Sequence, residues 1–246
     1  MAYDNLLKLQ IPVPIMKKKI VIISNENKTT DKLIRLLDEF EIIIGEKHDS
    51  ADMHLEVKDD NRVALIKNGK EDLVNLNCKF FNLDNKYYKN GVRIERRDTV
   101  AVILRNSTGE IMCLNWNNEK KWKSFVSGGV ENGDIVQSAI DEIREETGYV
   151  NVKFVREINC ETRDRFYAPH KNVNRYLINR AVIFDLVDEE KNDIEEIEIE
   201  KHVPIWIKGS EILNFLTVEN HKFLFREYLG EKQEYDNISI LINEMI

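Results

Sequence analysis

Along the first third of the chain, apolar residues come in short runs separated by polar turns. Residues 1–17 carry Pro12 and Pro14 and read as an extended lead-in. The run KKIVIIS (18–24) is a predicted strand. Thr29, Thr30 and Asp31 can cap a helix that begins there, and Leu33, Leu36, Leu37 and Phe40 then recur at helical spacing. EIIIG (41–45), residues 53–57 and residues 62–66 read as further strands, and Asn68-Gly69 as a tight turn into residues 72–75. Residues 18–76 thus predict a small β-α-β-rich unit. Its 24–30 loop follows a strand and precedes a helix, a place where phosphates bind. It carries no glycine-rich phosphate motif, so a packing or dimerisation role is the alternative.

The pattern changes twice after that. Between 77 and 97, Lys86, Lys89, Arg93, Arg96 and Arg97 interleave with Tyr87 and Tyr88. Such a stretch suits a solvated linker or hairpin better than a nucleic-acid contact. A strand at 99–105, a turn at 106–109, a strand at 111–116, a basic loop at 119–123, a glycine turn and a helix follow, then more strands. The expected division is a small α/β domain over 1–95 and a second domain over 96–246. Residues 188–200 hold eight acidic residues against one lysine and read as a solvated loop.

Composition narrows the function. The chain has 246 residues and a formal charge of −8, with 42% hydrophobic and 33% charged residues. That is the make-up of a globular protein with a real core, and it argues against a histone-like nucleic-acid binder. No apolar run is long enough to cross a bilayer, and the N-terminus lacks a signal-peptide pattern. Cys78, Cys113 and Cys160 are widely spaced and read as reduced thiols. The expectation is a cytoplasmic protein with no membrane partner.

The chemistry concentrates in residues 127–150, SGGVENGDIVQSAIDEIREETGYV. Val136, Ala139, Ile140 and Ile143 form an apolar helical face. Glu142, Glu145 and Glu146 fall within one turn, read as projecting from the opposite side. Such carboxylates repel one another, which solvent tolerates, but they are also hard ligands suited to Mg²⁺ or Mn²⁺. Gly128-Gly129 lets a backbone come close.

This stretch resembles the signature of the Nudix hydrolase family, G-x5-E-x7-R-E-U-x-E-E-x-G-U. From its end the match is Glu142, Ile143, Glu145, Glu146, Gly148 and Tyr149; from its start it is Gly128, with Asp134 in the place of the first glutamate. Asp141 stands where the family has arginine, and the segment is one residue shorter than the pattern. Ile205-Trp206-Ile207 followed by Glu211 resembles the closing strand and last helix of that fold, so the resemblance spans about 97–230. A weaker one, on RDTVAVIL and YAPHKNVNRY, is to a Nudix-like domain inserted in some bacterial leucyl-tRNA synthetases, although no synthetase motif is present.

The family resemblance implies an α/β (α+β) fold: an α/β/α sandwich with a mixed sheet. It implies a divalent-metal-dependent pyrophosphohydrolase acting on a nucleoside diphosphate linked to another moiety. Glu142, Glu145 and Glu146, with the Gly128 carbonyl, would hold Mg²⁺ (or Mn²⁺). The base would be Glu145 or Glu146, or Glu200 from a later loop with Glu196 and Glu198 as neighbours. Arg105, Lys123, Arg163, Arg165, Tyr167 and Arg175 are the candidate substrate-binding residues, and Lys171 and His170 lie among them. A homodimer is the expected assembly. The departures at Asp141 and in loop length support an alternative, a catalytically weak or inactive nucleotide- or RNA-binding sensor. RNA is the less favoured ligand, since Arg93–Arg97 and Lys120–Lys123 are the only pieces of a basic path.

Overall fold

A computed structural model describes residues 19–23, 33, 37, 41–45, 53–58, 62–82, 84–117 and 119–235. The phosphate-type loop at 24–30 lies outside these residues, as does the predicted helix after it, except for Leu33 and Leu37, which are buried. The chain divides after Val74 into two units.

The first unit is a five-stranded sheet in the order β2-β1-β3-β4-β5. Strands β1 (Lys19–Ile23), β2 (Glu41–Ile44) and β3 (Met53–Val57) run parallel. β4 (Arg62–Lys67) returns antiparallel to β3, and the Asn68-Gly69 turn, with φ of 51° and 74°, leads into β5 (Lys70–Asn75). Asn and Gly tolerate that left-handed backbone, which is why the turn was readable. Ile20, Val21, Ile22, Met53, Leu55, Val63, Ala64, Leu65 and Val74 are buried.

The second unit begins at Asn75, ahead of the boundary expected at 95/96. Residues 77–97 are built into it rather than linking to it. β6 (Cys78–Phe81) adds an edge strand parallel to β11 (Val152–Ala168), and β7 (Ile94–Arg105) starts well before the apolar run that announced it. β7 pairs parallel with β12 (Val173–Leu186) along its whole length. The eight-stranded sheet runs β13-β8-β7-β12-β11-β6; β8 is Glu110–Trp116 and β13 His202–Lys208. The short β9 (Lys123–Ser124) joins β8, and β10 (Val126–Gly129) joins β7.

Both faces of this sheet are covered, so its central strand is apolar on both sides. On one face Val100, Val102, Leu104 and Val182 pack under helix α1 (Ile135–Thr147) through Ile135, Ala139 and Ile143. On the other, Ala101, Ile103, Cys113 and Ile183 meet Ile212 of α3 (Ile212–Phe215) and Phe223, Leu224 and Phe225 of α4 (Glu219–Tyr228). In chain order α2 (Glu196–Lys201) falls between α1 and α3, where a solvated loop was expected. Among the described residues no helix is long and apolar enough to cross a membrane.

Helix α1 begins where Asp134 caps it: its side chain accepts from the amides of Val136 (3.1 Å) and Gln137 (2.9 Å). It stops at Gly148, left-handed at φ 79°. Asp134 therefore does helix-capping work in the place of the signature's first glutamate.

The β11–β12 ribbon buries Arg163 completely. Its Nε donates to Glu161 at 2.8 Å and its Nη1 to the Tyr176 hydroxyl at 3.2 Å. Removing one partner of such a pair strands a buried charge, at a cost of about 3–5 kcal/mol. Urea unfolding of Arg163→Ala should show a loss of that size, and adding Glu161→Leu should recover most of it. A loss below about 1 kcal/mol would contradict the burial argument.

Candidate active site

The site forms where β10 runs into α1. Gly128 and Gly129 pair with Val100 and Thr99 of β7, so their backbone is held flat against the sheet. A Cβ on Gly128 would collide with the Glu142 carboxylate, and one on Gly129 would lie 2.7 Å from Nη2 of Arg97. Each glycine thus admits one charged side chain. Glu142 accepts from the Gly129 amide, and the Ser127 amide donates to Glu146 Oε2 at 3.0 Å.

Glu146 departs from the expectation that all three helix carboxylates face away from the core. It lies seven residues after Ala139 and three after Ile143, on the packed side, and is 5% exposed. Glu145 is exposed at the rim and Glu142 is half-buried. Burial first, then the charge of Glu145, raises Glu142 to about 7 against the opposing charge of Arg97. Burial and the charge of Glu142 push Glu146 well above the carboxylate range.

The fourth carboxylate is Glu198, not Glu200. Glu198 acts electrostatically on both Glu142 and Glu146, whereas the exposed Glu200 takes part through its backbone carbonyl, which accepts from Asn117. Glu196 is exposed. Glu198 Oε1 accepts from Lys201 Nζ at 2.5 Å, and its Oε2 lies 3.5 Å from His202 Nε2. His202, the first residue of β13, also brings Nε2 to 3.8 Å from Glu146 Oε1. It is 1% exposed, and burial lowers its pKa, against the charge of Glu198.

Arg97 is the site residue that the sequence reading passed over as part of a basic linker. Its strand position, two residues before Thr99, gives no warning, because its neighbour Gly129 is distant in the chain. Among the described residues it closes no salt bridge of its own, and it is exposed beside the carboxylates. Asp141 instead binds Arg144 (2.8 Å) and Gln137 (3.2 Å) on the outer side of α1. Arg97 thus sets a positive charge from β7 beside the carboxylates of α1.

The sequence-picked cations are engaged elsewhere. Arg105 pairs with Asp185 at 2.6 Å and reaches the Tyr228 hydroxyl at 3.4 Å. It sits six residues along β7 from Thr99, about 20 Å away. Lys123 lies with its ammonium over the Phe215 ring at 4.8 Å. Arg163 is sealed against Glu161, and Arg175, also buried, binds Glu95 at 2.6 Å. Tyr167 donates to Asn172 at 2.8 Å, with Lys89 over its ring at 4.9 Å. Arg165 stacks between Tyr88 (5.5 Å) and Tyr176 (5.7 Å). The contacts of Arg163, Arg165, Tyr167 and Arg175 build the β11–β12 ribbon and its join to β7, and none of the six has a described contact with the site's carboxylates. Lys171 is exposed next to that ribbon, and the side chain of His170 is outside the described residues.

With this geometry in place, the comparisons give the class. A NUDIX domain family model matches residues 95–227, more than half of the chain. The chain belongs to the Nudix family. Its fold is similar to that of a C. elegans Ap4A hydrolase, with 15% identity, 55% of this chain and 96% of that one covered, and a TM-score of 0.41. It is also similar to a Nudix hydrolase from Nitrosomonas europaea (16%, 58% and 99%, TM-score 0.38). A third similar structure is the E. coli dihydroneopterin triphosphate pyrophosphohydrolase (13%, 56% and 98%, TM-score 0.40). No curated protein matches the sequence.

A stability signature follows from the carboxylates. Glu142 titrates near 7 when folded and near 4.5 when free. Across that window the folded chain holds the extra proton, so rising pH destabilises it. In the presence of a chelator, Glu142→Gln should melt higher than the parent at pH 8 and equally at pH 4. A variant that melts lower than the parent at pH 8 would contradict the repulsion.

Proposed function

We propose that the second unit is a divalent-metal-dependent hydrolase that cleaves the diphosphate of a nucleoside diphosphate linked to another moiety. The observation that carries this reading is the burial of Glu146 beside Glu142, with Glu145 and Glu198 in electrostatic reach. A fold gains nothing in stability from packing like charges at one point. A cation that binds there removes the cost.

The donor set fits Mg²⁺ or Mn²⁺: all four are carboxylates, hard oxygen ligands. Among the described residues no three donors already stand in ligating geometry, so the fit rests on the chemistry of the set. Glu142, Glu146 and Glu145, with the Gly128 carbonyl at the turn, would hold the ion. When bound, it neutralises diphosphate charge and makes a water more acidic.

The protein groups have separable tasks in this reading. Arg97, which closes no salt bridge among the described residues, would present its guanidinium fork to a phosphate oxygen at the glycine turn, the geometry that Arg provides and Lys does not. Glu145, exposed at the rim, would accept a proton from an attacking water. The amides of Ser127 and Gly129 hold Glu146 and Glu142 in place by donating to them. Gly128 is required because any side chain there expels Glu142.

The test is product release from ADP-ribose, NAD(H), dinucleoside polyphosphates, nucleotide sugars and nucleoside triphosphates with Mg²⁺ or Mn²⁺. One class should turn over, and Glu146→Gln should abolish it. Arg97→Ala should raise KM at least about tenfold, with Arg97→Lys recovering only part. Saturable nucleotide binding without turnover would replace this reading with the sensor alternative.

A further inference from the structure

We propose that His202 is a metal ligand in this site, making it a mixed nitrogen–oxygen centre. The inference rests on the metal-hydrolase reading above and goes beyond it. Buried polar atoms are nearly always hydrogen-bonded. His202 is 1% exposed, yet neither Nδ1 nor Nε2 has a hydrogen-bond partner among the described residues. Nε2 points between two carboxylates, 3.8 Å from Glu146 Oε1 and 3.5 Å from Glu198 Oε2. At 3.5 Å the Glu198 contact is at the outer limit of a hydrogen bond and does not satisfy the nitrogen.

Those two separations are wider than ligands on one ion require, and among the described residues no three donors stand in ligating geometry as they are. Ligands about 2.1 Å from one divalent ion, near right angles, sit about 3 Å apart. The two gaps close to that value by movements under about 1 Å. The ring is already fixed: Trp116 meets it edge-on at 5.0 Å, and Trp116 and His202 are paired residues of β8 and β13. Glu198 is delivered with it, because residues four apart across the end of α2 face the same side. Glu146 comes from α1. The site thus joins the signature helix to the acidic segment through one imidazole.

A nitrogen donor changes which ion is favoured. Imidazole suits first-row transition metals, whereas Mg²⁺ prefers oxygen. Mn²⁺ should bind this site at least about tenfold more tightly than Mg²⁺, and His202→Asn should close that gap by weakening Mn²⁺ alone.

The probe is Mn²⁺ added to the full-length chain, read by calorimetry and by pulsed electron paramagnetic resonance. In the native protein the bound Mn²⁺ should show ¹⁴N modulation, replaced by a ¹⁵N signal after histidine labelling and absent in His202→Asn. Because the native spectrum needs no variant, a misfolded variant does not blunt the test. Mn²⁺ that binds, is lost in Glu146→Gln and shows no nitrogen coupling would overturn the proposal and leave the hydrolase reading standing. Absence of any Mn²⁺ or Mg²⁺ binding would overturn both.

Discussion

The second unit is organised around a carboxylate that has no business being buried. Glu146 sits on the packed side of α1, between the apolar face of the helix and the sheet, with Glu142 one turn away. Two charges that close in a low-dielectric setting cannot both ionise cheaply. The surrounding structure reads as a set of responses to that fact. The amides of Ser127 and Gly129 accept the role of hydrogen-bond donors. Arg97 offers the opposing charge from β7, and two consecutive glycines clear the space for it and for Glu142.

The same logic explains where the other arginines went. A strand rich in Arg and Tyr looks like a ligand surface when only composition is visible. In the folded chain Arg105 and Arg175 each meet a carboxylate from a neighbouring strand, Arg163 meets Glu161 two residues back on its own strand, and Arg165 is stacked between two tyrosines. These contacts hold the long β11–β12 ribbon and the start of β7 in register. Arg97 differs because its neighbours are the site's carboxylates, whose other charges it does not cancel.

What was legible in the sequence was local. The spacing of Ala139, Ile140 and Ile143 identified α1, the glycine pair identified the turn, and the run at 100–104 identified the central strand. The carboxylates followed from helical periodicity, although that periodicity alone placed Glu146 on the wrong side, since the boundary of an apolar stripe is set by what packs on it. The misses were non-local. Arg97 reaches Gly129 only through strand pairing. Glu198 rather than Glu200 faces the site because a short helix, not a loop, sets the phase of the acidic segment. Asp134, in the place of the signature's first glutamate, is a helix cap. The domain boundary moved because β6 pairs with a strand far along the chain, which no linear pattern announces.

The central claim is that the carboxylate cluster exists to take up a divalent cation, and protons report on it most directly. Burial and mutual repulsion raise Glu142 to about 7 and push Glu146 upward as well, so both resist ionisation. Calorimetric titration of Mn²⁺ at pH 7, repeated in two buffers of different ionisation enthalpy, measures the protons expelled on binding. The account predicts saturable binding with net release of protons. Binding with no proton release, or no binding, would contradict it.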